Sequence, residues 1–432
     1  MKSLRHFIVE QTEEGASRQI KHLTHVEDRP LQTGEKGFSH AFKSLSAAAD
    51  HIKQGKKTSE LTTKYDGSPA IVYGHHPKNV KFFVASKSAF NKTPKINYTP
   101  QDIEKNHGHA PGLVKKLKDA LEHLPKVAPK EGVYQGDMLF SQEDKKRKGT
   151  GVSFNPNPSG LTYTAHGEEG KKASKAKIGV VTHLSYHGNA DNLNASHEVD
   201  HENFGQHPDV YSVDPRMDTS KVHFSPKQQK EFQKHLQAAK DIHDIHGKEM
   251  YDKTTLHQGV GGHLETYINH TVRTGEEPNH ANFKNWLENK KIKEIDKLKT
   301  EKNKKAKQEA LSTELGIVER HKKQYNNLFK MHSHLQKAKG VLIDTMNQYQ
   351  QFEHHHRGEK TNPEGYVFHH GKETDKFVNR GEFSRRNFTG IRNFTKPAEA
   401  APAPKAAPTV AKSATTPTRR TPRLKVDYSQ EQ

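Results

Sequence analysis

The apolar positions of this chain fall into stretches of different period. "FSHAFKSLSAAADHIKQGKK" places Phe42, Leu45, Ala49 and Ile52 at helical spacing, and Gly55 follows as a stop. From Leu61 to about Gly188 the pattern shortens to strands. "SPAIVYG", "VKFFVASKSAF", "GVYQGDMLF", "GLTYTAHG" and "KIGVVTHLSYHG" are rich in Val, Ile, Phe and Tyr and are parted by Gly, Pro and Asn. One helix is expected to interrupt them, "GLVKKLKDALEHL", with Leu113, Leu117 and Leu121 on one face. Hairpin-like spacings outnumber strand–helix alternations, which predicts an antiparallel α+β domain.

From about Asn189 to Gln351 the strand signal vanishes and helical spacing takes over. Ser225 is placed as an N-cap and Pro226 as the first residue of a helix. "ANFKNWLENKKIKEIDKLKTEKNKKAKQEAL" reads as one long charged helix with a narrow apolar stripe, and "YNNLFKMHSHLQKAKGVLIDTMNQYQQF" as another. Strand-like sequence returns in "NPEGYVFHHGKETDKFVNR". The expected organisation is a strand/helix segment over 1–60, a β-rich core over 61–190 and 352–396, a helical insertion over 191–351, and a disordered basic tail over 397–432. The tail is alanine, proline and threonine with scattered basic residues, a composition that buries no core.

Composition narrows the chemistry. Seventy Lys+Arg against 51 Asp+Glu give a net charge of +19, a field that favours polyanions such as nucleic acid. There is no cysteine, which excludes disulfides, zinc–thiolate sites and cysteine nucleophiles. No apolar run is long enough to span a membrane, and a cytoplasmic protein is expected.

The stretch that carries chemistry is "LTTKYDGSPAIVYG", where Lys64, Asp66 and Gly67 form K-x-D-G at the seam of two strand-like runs. Taken alone it also fits a hairpin turn at Asp-Gly. A lysine that attacks phosphorus must lose its proton, through desolvation or neighbouring cations. It also needs carboxylates to hold metal against a triphosphate, and cations to align the phosphate. Asp137 in "GVYQGDMLF" alternates with Gln135 and Leu139, and Glu364 in "PEGYVFHH" shares a predicted face with Tyr366 and Phe368. Lys87, Lys376 and Arg380 supply cations on strand-like segments.

In this order the segments resemble motifs I, Ia, III, IIIa, IV and V of the covalent nucleotidyltransferases: ATP-dependent DNA ligases, RNA ligases and mRNA capping enzymes. More closely, "KHLTHVEDRP", "TTKYDGSPAIVYG", "KFFVASKSAFNKTPKINYT", "GVYQGDMLF", "KIGVVTHLSYHG" and "KFVNRGEFSRRNF" resemble a family of tailed-bacteriophage proteins, which would act in the host cytoplasm. The likeness covers about residues 20–190 and 360–390. It implies an antiparallel β-rich nucleotidyltransferase (ATP-grasp-like ligase) core that uses ATP and Mg²⁺.

The resemblance also implies roles. Lys64 would take AMP onto its side chain, with Asp66 orienting it or a metal-bound water and Gly67 among the residues that bind the nucleotide. Asp137 and Glu364 would stand near the metal, and Lys376 would contact the α-phosphate, with Lys87 in the basic strand. His183 or Tyr186 would stack on the purine, and Glu27 would approach the base. The acceptor implied is a nucleic-acid 5′-phosphate on RNA or DNA.

Three departures stand out: motif III offers Asp137 in place of glutamate, the second motif V position holds Val378 with Arg380 as a possible substitute, and no length remains for a C-terminal OB domain. These departures suit an alternative, an inactive nucleic-acid-binding or phage structural module on the same fold. "HHH" at 354–356 and "HGH" at 107–109 lack metal-ligand spacing. The glycines of "GVGGHLE" lack the lysine of a phosphate loop. The lysine-rich stretch 288–307 fits a solvated helix as well as one lying along a phosphate backbone.

Overall fold

The structure, a computed structural model, describes residues 23–381 apart from 92, 157–159, 190–191, 258 and 372. The predicted tail over 397–432 lies outside the described residues. Along the chain run β1 (Thr24–His25), β2 (Lys57–Thr63), β3 (Ala70–His75), β4 (Phe82–Ala85) and β5 (Val133–Ser141). Next come β6 (Lys145–Lys148), β7 (Gly151–Phe154), β8 (Leu161–Ala165), β9 (Ile178–Asn189), β10 (Asn192–Ser196), β11 (Val210–Val213) and β12 (Arg216–Asp218). The last four are β13 (Glu353–His356), β14 (Glu359–Thr361), β15 (Gly365–His370) and β16 (Glu373–Val378). The helices are α1 (Arg29–Thr33), α2 (Glu35–Gln54), α3 (Pro100–His107), α4 (Pro111–His123) and α5 (Gly167–Lys175). They continue with α6 (Pro226–Lys253), α7 (Leu264–Thr274), α8 (His280–Ile295), α9 (Glu301–Arg320) and α10 (Lys322–Met346).

The protein is mixed α+β with mainly antiparallel sheets. The first sheet has the order β1-β16-β15-β2-β12, the second β10-β9-β5-β3-β4, and the third β14-β13-β8-β7-β6. Two pairings are parallel, β1 with β16 and β11 with β9, where only antiparallel pairing was expected.

Each of the first two sheets buries its outer face under helices. Leu61, Tyr366, Phe368 and Phe377 of the first pack among Leu45 and Ile52 of α2 and Leu335 and Leu342 of α10. Ile71, Tyr73 and Met138 of the second pack on Val114, Leu117 and Ala120 of α4. The inner faces turn toward one another. A third core, with Tyr65, Leu139, Tyr163, Val181 and Val378, ties all three sheets together. The rings of His197 and His369 stack across from the second sheet to the first, 3.8 Å between centroids.

The structure corrects several boundaries. Strands β10, β11 and β12 lie where strand signal was expected to vanish, because three- to five-residue edge strands such as "RMD" are too short to show alternation. Three helices, α3, α4 and α5, interrupt the β-rich region rather than one. The long charged helix breaks after Ile295 and folds back as α9, so that Leu287 and Ile295 are buried beside Leu311 and Val318. The helices from Pro226 to Met346 share one core with α2 and the first sheet. Ser225 caps α6 by accepting from Gln228 N–H, and Gly55 ends α2 in the left-handed region, both as expected.

Candidate functional site

Lys64 stands one residue past β2, and its N–H donates to Gly365 O at 2.9 Å, extending the pairing of β2 with β15. That register brings Glu364 alongside, and Lys64 Nζ donates to Glu364 Oε1. Glu364 does not share the face of Tyr366 and Phe368, as alternation had predicted. It precedes the strand, and Gly365, with φ +153°, turns the backbone between them. A Cβ on Gly365 would lie 2.4 Å from Phe377 O, so only glycine fits the "EG" step.

The rest of K-x-D-G is strapped to β8 and β5. Asp66 N–H donates to Tyr163 Oη at 2.9 Å, and Ser68 N–H to Met138 O at 2.9 Å. A Cβ on Gly67 would sit 2.5 Å from the Cβ of Asp137. Glycine is thus what lets the turn touch the strand bearing Asp137, bringing Lys64, Asp66, Glu364 and Asp137 together.

His183 occupies a bulge where β5 and β9 slip register between Gln135 and Gly136, and its Nε2 lies 3.3 Å from Asp137 Oδ2. Tyr186 is buried on the inner face with Val72, Phe83 and Val133, its hydroxyl donating to Gln135 Oε1 at 2.8 Å. Lys376 pairs with Val367 in register, and Val367 with Thr62, which puts Lys376 on the face that leads to Lys64. Lys87 is exposed in a 3-10 turn, because Ser86 ends β4 by capping that turn. It lies at the end of the second sheet that carries Asp137.

Two candidates are elsewhere. Glu27 is fully buried and accepts from Lys339 Nζ of α10 at 2.5 Å. Arg380 is 2% exposed, with Nη1 at 2.8 Å from both carboxylate oxygens of Asp28 and Nη2 at 2.5 Å from Asn269 Oδ1. His332 adds a 2.8 Å contact to Asp28. Arg380 is therefore held by Asp28 and cannot replace the missing lysine, and Val378 in that place is a core residue. Sequence reading missed Asp28, His332 and Lys339. The available signal was Lys339 itself, a charge on the apolar stripe of Leu335, Ala338 and Leu342.

Burial alone would lower the Lys64 pKa, but Glu364, with Asp66 and Asp137 behind it, holds it above the ordinary lysine value. Lys64 is thus kept charged, contrary to the expectation of a neutralised nucleophile, because three acids outweigh one neighbouring cation. Burial raises the Glu364 pKa against the pull of Lys64. Burial lowers that of Lys376, helped by Lys64 and Arg380. The site is half-buried: the Lys64, Asp137 and His183 side chains are 26%, 23% and 30% exposed, and Glu364 13%.

Fold and site together define a mixed α+β protein that presents a lysine–carboxylate cluster between two sheets. Over residues 20–392 the sequence matches a family of unknown function, DUF6267, and the chain belongs to that family. No match was found among the curated proteins or the solved structures. No helix among the described residues is long and apolar enough to cross a membrane.

Proposed function

We propose that this protein is a nucleotidyltransferase of the ligase type, with Lys64 as the nucleophile. The observation that carries the reading is the meeting of Lys64 with Glu364, its partner 300 positions away, beside Asp66, Asp137 and Lys376. Lys64 Nζ, once deprotonated, attacks the α-phosphorus of ATP. An N–P bond forms, the bond to the bridging oxygen breaks, and pyrophosphate leaves with its electron pair. An acceptor oxygen, such as that of a nucleic-acid 5′-phosphate, then attacks the same phosphorus, and the amine of Lys64 leaves and regains a proton. Lys376 holds the α-phosphate and Asp66 orients the amine, while the proton lost by Lys64 passes to solvent.

Glu364 and Asp137 would hold Mg²⁺, a hard cation that takes carboxylate oxygens. Glu364 Oε2 is buried without a hydrogen-bond partner, and Asp137 stands nearby. Among the described residues no three metal-binding side chains converge, so such an ion would need its remaining ligands from water and phosphate. Bound there, it would offset charge on the triphosphate oxygens.

The test is incubation with α-labelled ATP and Mg²⁺, denaturation, and a search for label retained on the chain. Label abolished by Lys64→Ala supports the reading, and an unlabelled wild type across several nucleotides overturns it. The second reading, an inactive binding module, is favoured by the buried Val378 and the sequestered Arg380. It expects no label and no effect of Lys64→Ala on nucleic-acid binding.

A further inference from the structure

Helices α8 and α9 form an antiparallel hairpin whose base is rooted in the core. Trp286 packs on Tyr267, Phe283 packs on Phe329, and Leu287 and Val318 are fully buried. Lys284 reaches Glu319 at 2.7 Å and Lys291 reaches Glu314 at 3.4 Å, pinning one helix to the other. Toward the tip this packing stops. From Glu301 to Ala310 every residue is exposed except Lys304, which is half-buried. These first turns of α9 are held by no apolar face, the usual source of helix stability.

The same tip concentrates charge. Residues 290–307 hold nine lysines and three acids, a net +6. Lys293, Lys297, Lys299, Lys302, Lys305 and Lys307 make no ion pair among the described residues. Several crowd the positive end of α9, where the helix dipole disfavours cations. Glu301 in the first turn, paired with Lys304 at 2.8 Å, offsets only part of this charge, so the arrangement costs stability.

We infer that the tip of the α8–α9 hairpin is a docking arm for the phosphodiester backbone of nucleic acid. An acidic protein surface fits less well. Protein interfaces are depleted in lysine and centre on buried aromatic anchors, and between 290 and 310 this tip has no aromatic residue. The same lack excludes base stacking, so recognition is by charge and indifferent to sequence. The arm is separate from the Lys64 site, and the inference does not depend on nucleotide transfer.

The experiment measures binding of the full chain to a fluorescein-labelled, mixed-sequence DNA duplex by anisotropy across a salt series. The test variant combines Lys297→Glu, Lys299→Glu, Lys302→Glu and Lys305→Glu. The control reverses four exposed, unpaired lysines of α6: Lys227, Lys230, Lys234 and Lys248. The tip variant should bind at least about tenfold more weakly, with the salt slope shallower by roughly three to four, while the control changes much less. Unchanged circular dichroism and thermal unfolding would establish that the variant is folded. An independent Lys→Gln set at the same four tip positions should give a smaller loss in the same direction. Equal losses in tip variant and control would overturn the proposal in favour of diffuse net charge. Unchanged binding by the tip variants, or no salt-sensitive binding by the wild type, would overturn it outright. Loss of Lys64 labelling leaves this binding untouched, so the two readings fail separately.

Discussion

Lys64 and Glu364 are 300 residues apart in sequence and joined side chain to side chain, because backbone pairing of Lys64 N–H with Gly365 O places them next to each other. The carboxylate that positions the amine also keeps it charged, so the first measurable consequence is in the reactivity of Lys64. Glu364→Gln removes its largest charge-stabilising partner and lets burial pull the pKa down. Modification of Lys64 by an amine-reactive reagent at mildly alkaline pH, followed by peptide mass mapping, should rise on the order of tenfold. No change would mean that the ion pair does not control this amine.

The buried pair of Glu27 and Lys339 should behave as a coupled unit. Lys339→Met leaves a fully buried carboxylate with only the longer 3.9 Å contacts to Arg380 and His25, and should cost about 3–5 kcal/mol in urea unfolding. Adding Glu27→Leu to that variant should recover much of the loss. Two additive penalties would contradict the coupling.

Gly67→Ala should displace the K-x-D-G turn, since its new Cβ meets the Cβ of Asp137 at 2.5 Å and Met138 O at 2.9 Å. A loss of at least about 2 kcal/mol is expected, read from denaturant unfolding. Gly112→Ala, with open space around it, serves as the neutral comparison.

Acid should destabilise the fold before carboxylates titrate. Burial pushes His354 and His201 down to about 4, and burial with His197 and His183 pushes His369 to about 3. The unfolded chain takes up these protons below its ordinary value of 6.5, and the native state does not. Their contribution is therefore complete above that value and is lost as the pH falls through it toward the folded values. Each imidazole contributes a slope of up to about 1.4 kcal/mol per pH unit. Urea midpoints measured from neutrality down to about pH 4 should fall steadily. A flat profile would place these rings in contact with water.

Much of the local structure was legible in the chain. Strands β3, β5 and β9 and helices α2, α4 and α10 follow their apolar periods, because each buries one face and that demand is written residue by residue. Short edge strands were not legible, since three residues show no period, and neither was the break between α8 and α9, which depends on which helix folds back on which. Glu364 was assigned to a face by alternation and moved off it by one glycine torsion.

The sequence by itself determined the residue types available: a lysine two before an aspartate and three before a glycine, a basic balance, no thiol, and strands flanking helices. Only the tertiary structure decided which of those groups meet. Arg380 and Glu27 looked available for a ligand, yet each is taken by a partner more than 300 positions away, Asp28 and Lys339. A buried charge has to find its counter-charge inside the fold, and that choice depends on the packing of α10 against the 3-10 turn Val26–Asp28 and β16, which no local pattern encodes.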